Sequence, residues 1–347
     1  MGKHRAAIVG LSWIGADPAG PASHPVLGTA TPYSHASAFA AMPGIEVVAG
    51  CDINPDAREA FERQWSPTWP GVRTYADYRE MLAREQVDIL SVVTPDHLHR
   101  DVVLAGVKNG VRAIFCDKPL ATTLEDSDAM IAAVRERGVI VNVNHTRRWQ
   151  PQYVAARENL RAGGIGRLAQ IVVHFGGPRA MLFRNHTHFL DLICYFAESE
   201  PEWVIAELEP GFESYGTEYR GDGGRDPSTE PGVNAYIGFR NGVRAFLSGM
   251  KHASPEVSVD LFGASGRLHV DDSAAVRVQP AEGGTTQQPL TPSSTRAGMH
   301  AAVADLIEAL ESGGSTQCPP EEARKAVALV KAILESQANG NAKVAVR

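Results

Sequence analysis

The feature that most constrains the fold of this chain is a series of short apolar runs, each followed by a segment with helical periodicity. Continuous apolar runs of this length are typical of strands buried on both faces, and helices between them are the crossovers that parallel strands require. The runs are Ala6–Val9, Glu46–Ala49, Asp88–Val93, Arg112–Phe115 and Val139–Val143. The helical patterns lie near residues 33–42, 55–64, 76–84, 98–109 and 123–137. This alternation predicts an α/β domain with a doubly wound parallel sheet.

The pattern changes near Pro151, where one helical stretch at 151–162 gives way to longer β-like runs separated by glycine-containing turns. These runs are Leu168–Phe175, Asn234–Phe239, Val243–Met250 and Val257–Phe262. Two amphipathic helical patterns, near 297–312 and 320–338, end the chain. Strands joined by short turns favour antiparallel pairing. We therefore predict two domains, 1–145 and 146–347, the second an α+β domain with an open, mostly antiparallel sheet.

A glycine-containing turn at residues 10–15, Gly-Leu-Ser-Trp-Ile-Gly, directly follows the first predicted strand. It matches the dinucleotide-binding fingerprint of Rossmann domains, with serine at the middle glycine position. The first glycine permits a tight turn and the last permits close helix packing, while a serine between them narrows the approach of a pyrophosphate. The cofactor contacts predicted from this turn are Gly10, Ser12, Trp13, Ile14 and Gly15.

An acidic residue, Asp52, ends the second predicted strand. A carboxylate there accepts hydrogen bonds from a ribose 2′-hydroxyl and repels a 2′-phosphate, so NAD is favoured over NADP. The alternative is that Asp52 serves the start of the helix that follows Asn54-Pro55.

The spacing between the glycine turn and this acid is unusual. Asp52 lies 37 residues beyond Gly15, whereas about 20 residues is typical. A segment rich in proline, glycine and alanine, residues 16–30, accounts for the excess. We expect a loop there, with the helix beginning at Thr31-Pro32, an N-cap and N1 pair. The loop either covers the active site or is an ordered surface excursion.

A lysine follows the strand Arg112–Phe115, within the tetrapeptide Cys116-Asp117-Lys118-Pro119. Ligands of doubly wound sheets bind at the carboxyl ends of the strands, so Lys118 is expected to face a bound cofactor. The proline biases Lys118 away from helical geometry or permits a cis bond. The alternative is a lysine in a surface turn.

The composition disfavours several classes of binding partner. The chain has 347 residues, 44% of them hydrophobic, and a net charge of 33 − 40 = −7 without a basic run, which disfavours nucleic acid and anionic membranes. No apolar stretch approaches the roughly 20 residues that span a bilayer, and the start leads directly into a strand instead of a signal peptide. We expect a cytoplasmic protein. Its four scattered cysteines lack CxxC spacing and indicate reduced thiols.

The order of these motifs resembles the glucose-fructose oxidoreductase, inositol dehydrogenase and MocA (Gfo/Idh/MocA) family over essentially the whole chain. The motifs are the glycine turn, Asp52, Thr94-Pro95 with His99, Asp117-Lys118-Pro119, residues 185–188 (Asn-His-Thr-His) with Asp191, and residues 317–323 ahead of the last helix. The resemblance implies a Rossmann domain, an open-faced sheet and a nicotinamide-dependent reaction at a carbinol carbon of a sugar or cyclitol. It does not name the substrate.

The resemblance also implies roles for single residues. Lys118 matches a lysine that hydrogen-bonds the reacting hydroxyl and steadies the nicotinamide, and His188 matches the histidine that accepts the hydroxyl proton. Thr94, Pro95, His99 and Asp117 join the predicted cofactor contacts. Two positions depart from the family pattern: Asp117 stands where glutamate is commoner, and Arg184 replaces an aspartate four residues before His188. The orientation of His188 could then come from Asp191 or Asn185.

A polar cluster at residues 144–149, Asn-His-Thr-Arg-Arg-Trp, follows the strand at 139–143. Arginine forks and an indole face suit hydroxyl-rich rings, and a hinge cluster of ion pairs is the alternative. The predicted substrate contacts are Lys118, Asn144, Arg147, Arg148, Trp149, Asn185 and His188. We expect no metal site, because His186 and His188, two apart on a helix, point to different faces.

The favoured function is an NAD-dependent sugar or polyol dehydrogenase. One alternative is a redox-neutral glycosidase or lyase with tightly bound NAD, and another is a catalytically degenerate NAD-binding regulatory protein. The resemblance implies a homodimer or homotetramer through the exposed sheet face. A polar loop at 211–232 is expected to be mobile and to reach the active site of its own or a neighbouring subunit.

Overall fold

The structure, a computed structural model, describes residues 4–17, 24–28 and 30–347. Contacts divide the chain into two compact units. The first unit contains the described parts of Met1–His24, Gly28–Trp149 and Arg296–Ala323, and the second contains Pro25–Leu27, Gln150–Thr295 and Arg324–Arg347. Residues 18–23 and 29 of the predicted loop at 16–30 lie outside the described residues, so its role as a lid stays a prediction. The predicted division at 145 and 146 also stays a prediction.

The first unit is built on a parallel sheet with six strands among the described residues, in the order β3-β2-β1-β4-β5-β6. The strands are β1 (His4–Val9), β2 (Ile45–Cys51), β3 (Arg73–Tyr75), β4 (Ile89–Val92), β5 (Ala113–Cys116) and β6 (Ile140–Val143). This order reverses direction between β1 and β4, as in a Rossmann fold, and it confirms the predicted doubly wound sheet. Strand β3 was not among the apolar runs, because only Tyr75 of its three residues is buried.

The helices observed in the described residues follow the predicted patterns closely. They are α1 (His35–Ala40), α2 (Pro55–Trp65), α3 (Tyr78–Arg84), α4 (His99–Lys108), α5 (Leu124–Arg137), α6 (Pro151–Arg161), α7 (Thr187–Ala197), α8 (Gly298–Ser312) and α9 (Pro320–Ala338). A single π-helical turn, Leu182–His186, precedes α7. Among these helices, none is long and apolar enough to cross a membrane.

Capping residues set where the helices begin. Pro55 is the first residue of α2. The side chain of Asn54, directly before it, accepts the N–H of Asp56. The predicted start of α1 at Thr31-Pro32 is wrong. Ser34 is the N-cap, because its hydroxyl accepts the N–H of Ser37 while the Ser37 hydroxyl accepts the N–H of Ser34.

The second unit contains a mixed sheet with nine strands among the described residues, in the order β14-β13-β12-β11-β7-β10-β9-β8-β15. The strands are β7 (Leu168–Gly176), β8 (Pro201–Leu208), β9 (Val233–Phe239), β10 (Arg244–Met250), β11 (Val257–Gly263), β12 (Gly266–Asp271), β13 (Ala275–Ala281), β14 (Gly284–Pro289) and β15 (Val344–Ala345). Neighbouring strands are antiparallel except for the parallel pair β7 and β10. This confirms the predicted open, mostly antiparallel sheet.

One face of this second sheet forms the core of its unit. Helix α7 is buried except for the partly exposed His188, and Phe189 and Phe196 pack with inward-facing strand residues such as Ile237. The other face carries Tyr236 and Phe246, whose rings stack with centroids 4.5 Å apart. The Phe246 side chain is 36% exposed. The sheet therefore presents an apolar surface away from its core.

The first unit also includes a late segment of the chain. Helix α8 packs on β5, β6 and α1. The Asn142 amide on β6 donates to the carbonyl of Ala302, and the Thr316 hydroxyl donates to the carbonyl of Val141. The N–H of Val143 donates to the carbonyl of Cys318. The segment after α8 thus covers the outer edge of β6, which would otherwise present unpaired backbone groups.

Candidate active site and nucleotide-binding pocket

The glycine turn lies against the end of β4. Gly10 has φ +99°, and a Cβ added there would lie 2.3 Å from the carbonyl oxygen of Val93. A Cβ on Gly15 would lie 2.2 Å from the carbonyl oxygen of Gly10. Trp13, at the tip of the turn, has φ +50° and a 55% exposed side chain. Positive φ at a tryptophan is rare, and such residues concentrate at functional sites.

Asp52 ties the glycine turn to the end of β2. Its Oδ2 accepts the N–H of Leu11 at 2.9 Å, and its Oδ1 accepts the N–H of Asn54 at 2.9 Å. The second contact reaches the N-cap of α2, in agreement with the alternative interpretation of Asp52. A carboxylate oxygen has two lone pairs, so each oxygen can accept a further hydrogen bond. Both roles considered for Asp52 are therefore compatible.

A cavity of about 270 Å³ opens beside Asp52, within the first unit. Its lining is mostly apolar and includes Gly10, Asp52, Ile53, Tyr78, Pro95 and Leu98. An apolar cavity beside a carboxylate has the chemistry that an adenosine group requires. Sequence reasoning missed Ile53, Tyr78 and Leu98, although Ile53 directly follows Asp52 and Leu98 lies between the predicted residues Pro95 and His99.

Lys118 and Asp117 are buried at the end of β5. Their exposed fractions are 5% and 4%, and the Lys118-Pro119 peptide bond is cis, one of the two geometries expected for it. The Asn144 amide donates to Asp117 Oδ1 at 3.2 Å. The same amide nitrogen lies 3.3 Å from His35 Nε2, which is itself 3.7 Å from Asp117 Oδ1. The structure therefore joins two predicted residues, Asp117 and Asn144.

His35, which sequence reasoning missed, is fully buried within this cluster. Its ring contacts Phe115, with centroids 4.5 Å apart, and its Nδ1 lies 2.9 Å from the Ser91 hydroxyl. Because the Asn144 amide faces Nε2 as a donor, the neutral tautomer with the proton on Nδ1 satisfies both contacts. The only signal in the sequence was a histidine inside a predicted helix.

His99 is fully buried, and both of its ring nitrogens face backbone carbonyls. Nδ1 lies 2.9 Å from the oxygen of Pro119 and Nε2 lies 3.0 Å from the oxygen of Thr94. Burial opposes the charged ring, but Cys116, Asp96 and Asp117 outweigh it and raise the pKa of His99 to about 10. Both ring nitrogens of His99 therefore already face protein atoms. The predicted contact between His99 and a cofactor stays a prediction.

Residues 144–149 differ in how far they are buried and in what they contact. The Arg148 guanidinium is buried, donates to the carbonyl of Gln317 at 2.7 Å and lies 3.5 Å from a carboxylate oxygen of Glu322. This agrees with the ion-pair alternative for Arg148. Trp149 is buried and Arg147 is partly exposed. The substrate contacts of Arg147, Arg148 and Trp149 stay predictions.

The second unit carries Asn185 and His188 at the junction of the π-helical turn and α7. Such turns occur often at functional sites. Glu230, fully buried, accepts the N–H groups of Phe183 at 2.7 Å and Arg184 at 3.0 Å, and so caps the turn. His188 is partly exposed, and Asp191, one turn later in α7, is buried. That Asp191 or Asn185 orients the His188 ring stays a prediction.

The loop at 211–232 is stabilised by its own hydrogen bonds and also contacts the π-helical turn. The Asp222 carboxylate accepts the N–H groups of Gly224, Arg225 and Asp226. The rings of Phe183 and Tyr219 meet edge to face, with centroids 4.8 Å apart. The loop therefore packs against the π-helical turn at Phe183 and Arg184.

His186 packs against a glycine in the same unit. A Cβ added at Gly249 would lie 1.7 Å from His186 Nε2, and His186 is fully buried. Burial lowers the pKa of His186 to about 4, so the ring is neutral at pH 7.

We expect Gly249→Ala to lower the free energy of unfolding by about 1–3 kcal/mol, because a buried ring must move to admit the methyl group. Thermal denaturation measures the effect. The control Gly284→Ala, where nothing lies within 4 Å of the added carbon, should be near neutral. Adding His186→Ala to Gly249→Ala should recover part of the loss, and a purely additive double variant would refute the contact.

The residues predicted from the sequence fall in both units. In the first unit are Gly10, Ser12, Trp13, Ile14, Gly15, Asp52, Thr94, Pro95, His99, Asp117, Lys118, Asn144, Arg147, Arg148 and Trp149. In the second are Asn185 and His188.

The sheet order, the glycine turn and the pocket beside Asp52 define a nucleotide-binding protein of the Rossmann class. Residues 4–145 match the family model described as the oxidoreductase family with an NAD-binding Rossmann fold. By this match the chain is similar to the Gfo/Idh/MocA oxidoreductases.

Curated relatives extend the similarity beyond the first unit. D-apiose dehydrogenase of Paraburkholderia graminis is 28% identical over 332 residues, covering 88% of this chain and 85% of the relative. A 1,5-anhydro-D-fructose reductase of Ensifer adhaerens is 27% identical, with 78% and 83% covered. Among solved structures, levoglucosan dehydrogenase in complex with NADH and L-sorbose superimposes with a TM-score of 0.79 and 19% identity over the full length of both chains. That last likeness shows a shared fold.

Proposed function

We propose that this oxidoreductase uses NAD to transfer hydride to or from a secondary alcohol of a sugar, sugar derivative or cyclitol. The observation that carries the proposal is the buried Asp117-Lys118 pair at the end of β5, supported by Asn144. A buried lysine placed where doubly wound sheets bind ligands is suited to contact a reacting oxygen. The relatives' names, a D-apiose dehydrogenase and an anhydrofructose reductase, support a carbohydrate substrate.

In this proposal the first unit holds the dinucleotide. Gly10 and Gly15 let the backbone approach the pyrophosphate, Asp52 accepts hydrogen bonds from the ribose, and Ile53 and Tyr78 contact the adenine. A bound nicotinamide supplies the acceptor for the hydride.

Two side chains act on the reacting hydroxyl group. Lys118 donates a hydrogen bond to the hydroxyl oxygen and polarises it, and His188 accepts the hydroxyl proton. An imidazole suits this step, because its ordinary pKa of roughly 6.5 lies close to the working pH. Asn144 and Asn185 hold neighbouring hydroxyl groups of the ring.

The experiment that tests this function is absorbance at the NADH band while the protein and NAD are incubated with sugars, glycosides and inositols. A rise with one class of compound supports the dehydrogenase and identifies its substrate type. Consumption of a compound without NADH accumulation would favour redox-neutral glycosidase or lyase chemistry instead. NADH binding without turnover of any compound would favour a regulatory protein.

The preference for NAD over NADP is proposed from the Asp52 carboxylate. We expect Asp52→Asn to reduce discrimination against NADP by about tenfold, because the amide removes the charge that repels a 2′-phosphate. The asparagine oxygen still accepts one of the two backbone N–H groups, which limits structural damage. The ratio of kcat/KM values for NAD and NADP checks this, with Asp56→Asn, at an exposed position near the start of α2, as the control. An unchanged ratio would contradict it.

We propose a homodimer or homotetramer in which the Tyr236 and Phe246 face of the second sheet meets a second copy. An apolar sheet face left in water would be costly. Light scattering at several concentrations tests this, and a monomer would contradict it. The cytoplasmic location stays a prediction.

A further inference from the structure

His99 joins two strand ends of the first unit. Its Nε2 faces the carbonyl oxygen of Thr94, after β4, and its Nδ1 faces the carbonyl oxygen of Pro119, after β5. These carbonyls are acceptors only, and a neutral imidazole carries a single N–H. Only the doubly protonated ring donates to both. The geometry alone therefore selects the imidazolium form.

The charged groups around the ring favour that form. Asp96 and Asp117 are both nearly fully buried and act on His99 through their charges. The Cys116 sulfur lies 3.7 Å from Nδ1 and is the largest of the influences that raise the pKa of His99. Against the charge stand burial and the position of His99 as the first residue of α4, since the start of a helix disfavours a cation.

The two segments that His99 connects carry residues of the proposed cofactor site. Thr94 and Pro95 line the cavity beside Asp52, and Lys118 immediately precedes Pro119. Two hydrogen bonds from one charged donor are stronger than those of a neutral ring. Losing them would leave two backbone acceptors without their donor and release both segments.

We propose that His99 is a positioning residue, held as an imidazolium at neutral pH, which fixes the Thr94 and Pro119 carbonyls and through them the cofactor pocket and Lys118. The charge state stands independently of the reaction. The consequence for cofactor binding rests on the proposed function.

The charge is tested by ring-nitrogen NMR of protein labelled with ¹⁵N-histidine, at about pH 8.5, roughly two units above the ordinary pKa of histidine. Of the 12 histidines in the chain, one should keep both ring nitrogens protonated. That signal should vanish in His99→Gln and persist in His97→Gln, an exposed control in the same segment. A spectrum with only neutral rings, or a signal that survives His99→Gln, would overturn the proposal.

A second variant covers the case in which His99→Gln does not fold. Cys116→Ser changes the atom 3.7 Å from Nδ1, so it should shift the imidazolium resonance and thereby assign it. A resonance unmoved by Cys116→Ser would refute the assignment to His99.

The free energy of unfolding should depend on whether the His99 ring is protonated. The folded pKa of about 10 lies above the ordinary value of 6.5, so the contribution is complete below pH 6.5 and is lost as the pH rises through 10. Wild-type stability should therefore decline over this range relative to His99→Gln. Parallel pH profiles for the two proteins would contradict the raised pKa.

Positioning is tested by fluorescence titration with NADH. We expect His99→Gln to raise the NADH dissociation constant at least tenfold, with His97→Gln within twofold of wild type. Equal affinities in His99→Gln and wild type would overturn the positioning role even if the imidazolium signal is present. If wild-type protein binds no NADH, the proposed function fails, while the NMR experiment still decides the charge of His99.

Discussion

The variants Lys118→Ala and His188→Ala should each lower kcat by about 10² or more, because each loses a group that acts directly on the reacting hydroxyl. The effect should appear mainly in kcat, since the Asp52 side of the pocket is untouched. Steady-state kinetics with the compound that produces NADH, together with NADH titration, measure both quantities.

The matched controls are Lys108→Ala, at the exposed end of α4, and His252→Ala, whose side chain is 91% exposed. Both should retain near-native turnover. A His188→Ala variant with a near-native rate would remove His188 from the mechanism. A Lys118→Ala variant whose entire loss is repaired by saturating NAD would assign Lys118 to cofactor binding alone.

Gly10→Ala should be the most damaging single methyl addition in the nucleotide site. The added carbon meets the Val93 carbonyl at 2.3 Å, and φ +99° is strained for any L-residue. Overpacking and strain together should lower stability by roughly 2–5 kcal/mol. We expect the thermal midpoint to fall by roughly 5–15 °C and NADH binding to be lost.

Gly44→Ala separates the two causes, because Gly44 has φ +89° but nothing within 4 Å of an added carbon. It should show the strain alone, about 1 kcal/mol, and leave NADH binding intact. Equal effects of the two variants would mean that close contact with the Val93 carbonyl is unimportant.

The fold was predictable where burial and local chemistry agree. Runs such as Asp88–Val93 are apolar because both faces of a parallel strand are covered, so they are visible without knowing their neighbours. The α1 start failed for a local reason: Thr31-Pro32 and Ser34 are both acceptable caps, and only the reciprocal Ser34-Ser37 bonds decide between them. Strand β14 is exposed throughout and lacks an apolar signal.

The site residues were predictable in two cases. Backbone geometry requires a particular residue type at Gly10, and Asp52 and Lys118 each follow the end of a strand. They were not predictable where a role depends on tertiary contact. His35 lies 82 residues from Asp117 in the sequence. Glu230 caps a turn 46 residues earlier in the chain through its buried carboxylate. No periodicity or spacing indicates such partners.

The covering of β6 by a late segment has a consequence for synthesis of the chain. Asn142 and Val143 find their partners at Ala302 and Cys318, so the nucleotide-binding unit is incomplete until roughly nine-tenths of the protein has left the ribosome. Until then the nascent chain carries a strand with an open edge, the kind of surface that pairs with other chains. Folding of this unit must wait for residues 302–318, and a shortened transcript ending before α8 would yield an aggregation-prone fragment instead of a working cofactor-binding domain.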